Sequence, residues 1–148
     1  MDNPESLAFS VELLWDGGTS CQVNIEGHEP LRLGLHPQFG GEGEHLCPDE
    51  LFLASIGGCL LTTFLYASRK LRLHLSDLKT SVHGEVVLQG PEGYRLTSVE
   101  ASINVKTAKG EEAKAEECFR LTRDFCHLTR LIEDAVPVRL SVKVESEG

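Results

Sequence analysis

The residues of this chain best equipped for covalent chemistry are its five cysteines, Cys21, Cys47, Cys59, Cys118 and Cys126. Their number is odd, their spacing irregular and no C-x-x-C pair occurs, which argues against both a disulfide scaffold and a zinc ribbon. A free cysteine otherwise behaves as a small buried hydrophobe, and that is the default reading for most of the five. Two positions stand apart by context. Cys59 follows Gly57-Gly58, where two missing side chains leave room beside the sulfur or let another backbone approach. Cys126 lies in Arg123-Asp124-Phe125-Cys126-His127, with a cation three residues before it and an imidazole directly after. The chemistry on offer is that of a thiolate acting as nucleophile, and its spacing alone does not separate a reactive thiol from an inert one. His36, His45 and Cys47 match no standard zinc spacing and read as structural or surface residues.

The elements that must position these thiols are legible from periodicity. Residues 9–15 alternate and stop at Asp16-Gly17-Gly18, a turn signal that releases a second short run over 21–25; together they predict a hairpin. Leu31, Leu33 and Leu35 predict a third strand, followed over 36–47 by a Gly-rich loop that ends at Pro48, a residue suited to the first turn of a helix. Residues 51–68 carry no charge, with Asp49 and Glu50 before them and Arg69, Lys70 and Arg72 after, an order that complements a helix macrodipole. Cys59 therefore sits mid-helix, where the macrodipole does not reach, and activating it requires a cation or donor supplied by the fold. The run only just attains spanning length and contains Gly57, Gly58, two Thr and two Ser. It reads as a helix buried on nearly all sides in a core or subunit interface rather than in a membrane.

Further along, residues 79–88 and 95–106 alternate on either side of Gly90-Pro91-Glu92-Gly93 and predict a second hairpin. Gly110-Glu111-Glu112 opens an amphipathic helix closed by Cys126; adjacent residues of a helix do not face each other, so His127 is not expected to serve Cys126 directly. A short helical piece over 128–135 gives way at Pro137 to an alternating strand through Val138, Leu140, Val142 and Val144. Strands, long helix, hairpin, helices and strand make an α+β order without βαβ alternation.

Composition bounds the partners. A chain of 148 residues with 41% hydrophobic and 25% charged residues suits one domain, 1–148, with a core of its own. A net charge of −9, from 23 acidic against 14 basic residues, disfavours a nucleic-acid partner. The opening Met-Asp-Asn-Pro-Glu-Ser has neither the basic nor the apolar region of a secretory signal, which points to a cytoplasmic location.

The segment Pro48-Asp49-Glu50-Leu51-Phe52-Leu53-Ala54-Ser55-Ile56-Gly57-Gly58-Cys59 resembles the hallmark of the OsmC/Ohr family, and Cys126 matches that family's second cysteine, near the end of the second long helix. The Gly17-Gly18 turn, the Gly40-Gly41 loop and the order of elements extend the resemblance over nearly the whole chain. It implies antiparallel sheets wrapped around two central helices in an intertwined homodimer with active sites at the subunit interface. It implies also that Cys59 is a peroxidatic thiolate that attacks an organic hydroperoxide and becomes a sulfenic acid, and that Cys126 resolves it to a disulfide reduced by an external dithiol. No metal or organic cofactor is called for.

In Ohr-type members an arginine after the Gly-Gly turn pairs with a glutamate ten residues before the first cysteine; here Thr19 and Asp49 stand at those places. Glu50, one position on, fits the divergent OsmC-like subgroup, and either it or Asp49 is expected to orient the site. Arg32, His36 and Arg123, from either subunit, are the candidates to replace the missing cation. The leading expectation is a peroxidase for organic hydroperoxides with Cys59, Cys126 and Glu50 as its site. Its rivals are a dimer that binds a small apolar or thiol-bearing ligand without turnover, and a redox-sensing or structural dimer.

Overall fold

The structure, a computed structural model, describes residues 4–148. The chain forms two compact units, one up to Leu51 and the other over Phe52–Gly148.

The first unit is built on a three-stranded antiparallel sheet of β1 (Glu12–Trp15), β2 (Ser20–Asn24) and β3 (Leu31–Gly34), in that order. Pairing of β1 begins at Glu12 rather than at residue 9, because Glu12 lies opposite Asn24, the last residue of β2. The β1–β2 turn is held by the Asp16 carboxylate, which accepts from the Gly18 N–H at 2.9 Å and from Arg32 Nη2 at 2.6 Å. After β3 the loop makes a single 3₁₀ turn over Pro37–Phe39, and a side chain on Gly41 would overlap the Leu35 carbonyl, so the loop tolerates only glycine there.

Helix α1 (Pro48–Lys70) begins in the first unit and continues through the second. Proline at its first position lacks only an N–H that would have no helical partner, and its acidic first turn and basic last turn match the charge order read in the sequence. It ends where Arg72 takes a left-handed conformation, φ 54°, and the Leu73 N–H returns to the Ser68 carbonyl at 2.8 Å.

The second unit pairs β4 (Leu75–Leu88), β5 (Tyr94–Thr107) and β6 (Val138–Ser146) in that order. The inward residues of β5, Val99, Ala101, Ile103 and Val105, form a buried core with Ile56, Leu60, Phe64 and Ala67 of α1. Two further helices, α2 (Glu112–Phe125) and α3 (His127–Glu133), pack on the same sheet, and α2 contributes the buried Ala115 and Cys118.

One feature departs from the sequence reading and another refines it. The β4–β5 hairpin is antiparallel, but β5 and β6 run parallel, from Val99 opposite Val138 to Thr107 opposite Ser146. The helices α2 and α3 form the crossover that a parallel pair requires; a tight turn would have forced the antiparallel arrangement. Helix α1, expected to be buried on nearly all sides in a core or subunit interface, is buried within this chain along one stripe, while Phe52, Ser55, Gly58, Thr62 and Tyr66 on other faces are exposed in the single chain. By length and composition it is the one helix among the described residues long and apolar enough to cross a membrane.

Candidate functional site

Cys59 lies on α1 one residue before the buried Leu60, half-buried and packed against the core of the second unit. The two glycines before it serve different ends. A Cβ on Gly57 would stand 3.0 Å from Val82 Cγ2, so its absence lets β4 approach the helix; a Cβ on Gly58 would meet nothing within 4 Å, on an open part of the helix surface.

Cys126 is fully buried and separates α2 from α3. Its N–H still closes α2 on the Thr122 carbonyl at 2.9 Å, and its carbonyl already accepts from the Arg130 N–H of α3 at 3.1 Å. Between these bonds its backbone is extended, with φ −69° and ψ 102°. Burial pushes the Cys126 thiol above its ordinary pKa, opposed by hydrogen bonds from Thr129, and the neighbouring Cys59 adds to the upward shift. A thiol so held is a protonated neighbour for Cys59.

His127, the first residue of α3, is exposed and brings Nδ1 to 3.9 Å from Cys59 Sγ. The structure thus gathers Cys59, Cys126 and His127. Only the first two were expected together. The argument that neighbouring helical residues diverge does not apply to Cys126 and His127, because the extended backbone of Cys126 places a break between them. The signal in the sequence was the imidazole beside the cysteine.

Glu50, the third expected site residue, caps α1 within the first unit. Its Oε1 accepts the Cys47 N–H at 3.1 Å, three residues before it, while the Cys47 carbonyl accepts from the Leu51 N–H: the glutamate half of a capping box at the start of α1. Those bonds from Cys47 hold the Glu50 carboxyl below the usual range, with His36 a smaller cause. Asp49 is exposed in the same turn.

The three cations considered for the thiolate are engaged elsewhere. Arg32 is paired with Asp16 at 2.6 Å and donates through Nε to His45 at 3.3 Å. His36 accepts the Gln38 N–H through Nδ1 and meets the ring of Phe39 edge-on. The Arg123 guanidinium lies over the Phe119 ring, 5.9 Å from its centre.

The remaining cysteines divide by surroundings. Cys118 is fully buried in α2, and burial pushes its thiol up to about 11, so it packs and does not react. Cys47 is buried at the start of α1, and Cys21 is half-buried on β2. Both line an apolar cleft of about 660 Å3 within the first unit, together with Leu13, Trp15, Leu33, Leu35 and Phe39; Thr19 and Asp49 also border it. Among the described residues no three His, Cys, Asp or Glu side chains gather in a way that could hold a metal.

The family described as OsmC-like protein matches residues 41–141. No curated protein matches the sequence closely. Several solved structures share the fold. An OsmC-like protein from Mycoplasma pneumoniae superposes with a TM-score of 0.81 at 13% identity, covering 94% of this chain and 98% of the other. An organic hydroperoxide resistance protein OsmC from Legionella pneumophila gives 0.70 at 20% identity over 93% and 99%. An organic hydroperoxide resistance protein from Elizabethkingia anophelis gives 0.74 at 17% identity over 96% and 100%.

Proposed function

Since this chain belongs to the OsmC-like protein family, we propose that it is a thiol-dependent peroxidase that reduces organic hydroperoxides through Cys59 and Cys126. The observation that carries this reading is that Cys59 of α1 packs against the core cluster that contains Cys126, at the α2–α3 junction, and that the two thiols influence each other. The names of two solved relatives, as organic hydroperoxide resistance proteins, support it.

In the proposed cycle the Cys59 thiolate attacks the terminal oxygen of a hydroperoxide. The O–O bond breaks, the alcohol leaves after taking up a proton, and Cys59 is oxidised by two electrons to a sulfenic acid. The Cys126 sulfur then attacks the Cys59 sulfur, an S–S bond forms, and the hydroxyl departs as water with the Cys126 proton. Burial keeps Cys126 protonated until that step, which protects it from direct oxidation. An external dithiol returns the pair to the reduced state, and the cycle draws on no metal or organic cofactor.

The same reading includes a cytoplasmic homodimer with active sites at the subunit interface. Support comes from apolar side chains that this chain leaves in the open, among them Trp15 at 76%, Phe125 at 65% and Leu131 at 70% exposure.

The test is consumption of cumene hydroperoxide and, separately, hydrogen peroxide by the reduced protein, with peptide mass spectrometry before and after. We expect rapid loss of the organic peroxide and a disulfide between Cys59 and Cys126. Cys59→Ser should abolish turnover, and Cys126→Ser should permit one oxidation and then stall or over-oxidise. Full steady-state activity in Cys59→Ser would end the proposal.

The apolar cleft of the first unit, with Thr19 on its rim where Ohr-type members carry arginine, favours a second reading: a binding protein for a small apolar or thiol-bearing molecule. Under it, peroxide would persist with both thiols free, and ligand would remain bound after Cys59→Ser.

A further inference from the structure

The family arginine is replaced by Thr19, and Arg32, His36 and Arg123 each have another partner. Within this chain the groups at hand to ready Cys59 are its immediate neighbours. Two side chains interact with it, Cys126 and His127, consecutive residues that the extended backbone at the α2–α3 junction turns toward the same thiol. They differ in what they can do with a proton. Cys126 is fully buried and cannot exchange with water, whereas His127 is exposed and carries a ring nitrogen 3.9 Å from Cys59 Sγ.

We propose that His127 is a catalytic base and acid for Cys59: its Nδ1 takes the thiol proton and holds it as an imidazolium beside the thiolate. The acceptor form is the tautomer with its proton on Nε2, which leaves Nδ1 free toward the sulfur. A contact of 3.9 Å is long for the resting pair, and such bonds tighten when substrate is bound.

The second half of the inference rests on the peroxidase reading. When the O–O bond breaks, the departing alkoxide takes the proton from Nδ1 and leaves as the alcohol, so the proton removed from Cys59 is the one returned. Sulfur loses two electrons to become the sulfenic acid, the hydroperoxide gains them, and His127 ends neutral. Cys59 is itself only half-buried, so its sulfur is not sealed in the core.

The charges around His127 leave it free for this role. Among the described residues no carboxylate and no second cation is bonded to it or to Cys59. The flanking charges on α2 are turned elsewhere, Asp124 to Arg120 at 3.0 Å and Arg123 to the Phe119 ring, and Arg130 on α3 is exposed.

The experiment compares iodoacetamide labelling of Cys59, followed by peptide mass spectrometry, in the full wild-type chain and in His127→Ala and His127→Asn. A thiol without help is only a few per cent ionised at pH 7, so both variants should label about tenfold more slowly there. The deficit should close above about pH 9, where thiols ionise unaided, and added imidazole should restore part of the rate to His127→Ala. Circular dichroism identical to the wild type will show that replacing this exposed residue leaves the fold intact. Equal labelling of all three proteins at pH 7 would overturn the inference. If labelling depends on His127 but the wild type consumes no peroxide, the histidine's role stands and the peroxidase reading falls; if the wild type turns over and labelling ignores His127, the reverse holds.

Discussion

Cys59 and Cys118 sit on different helices of the second unit, and their surroundings set them opposite tasks. Cys118 is sealed in the core with its thiol raised to about 11, and Cys59 is half-buried beside an imidazole. At pH 8 and short exposure, alkylation of the native protein should therefore modify Cys59 and spare Cys118, which should label only on unfolding. Comparable labelling of both in the folded protein would contradict this assignment. Gly57 offers a second check at this scale. Val82 Cγ2 already lies 3.0 Å from where its Cβ would be, so Gly57→Val should overpack the contact between α1 and β4. We expect a loss of about 1–3 kcal/mol in urea unfolding, and an unchanged midpoint would show that the strand yields.

At the scale of elements, the start of α2 is tied to the segment between α1 and β4 by one carboxylate. Glu111 accepts from the His74 N–H at 2.7 Å and meets His74 Nδ1 at 2.9 Å, with Lys114 at 3.2 Å. The His74 bonds, backbone first, lower its pKa from the ordinary 4.5 to about 2. A carboxylate whose folded-state pKa lies below its unfolded one stabilises fully above the unfolded value, and the stabilisation is lost as pH falls through the folded value. The gap in stability between wild type and Glu111→Gln should therefore be widest above about pH 4.5 and narrow toward pH 2. Denaturant midpoints across that range will read it, and a gap independent of pH would dismiss the tie. Glu50 acts by the same rule at the start of α1, so its replacement should loosen the helix that carries Cys59 without touching the thiol itself.

For the whole molecule, the question is what covers the apolar surface that one chain leaves exposed. Leu13, Leu14 and Trp15 in the first unit, and Tyr66, Phe125 and Leu131 in the second, are all more than half exposed. We expect sedimentation equilibrium to return twice the chain mass of 16.3 kDa. A stable monomer at micromolar concentration would remove the interface from the proposed site while leaving the cysteine pair in place.

The order and type of the elements and the exceptional length of α1 were legible in the sequence, as were Cys59 and Cys126 as candidates. They rest on local patterns: alternation, the charge order around an uncharged run, glycines beside a cysteine, and a hallmark segment that reads contiguously. What the sequence left open depends on long-range placement. Periodicity says which residues share a face but not which strand pairs with which, so the parallel β5–β6 ladder became visible only once α2 and α3 were seen to cross back over the sheet. The bond from Cys47 that makes Glu50 a cap of α1 was not read from the sequence either. His127 was read as part of the setting of its neighbour Cys126, and the extended backbone of Cys126 instead leaves the imidazole beside Cys59. Backbone conformation at one junction is decided by the packing of everything around it, which is why the tertiary structure alone could reveal that partner.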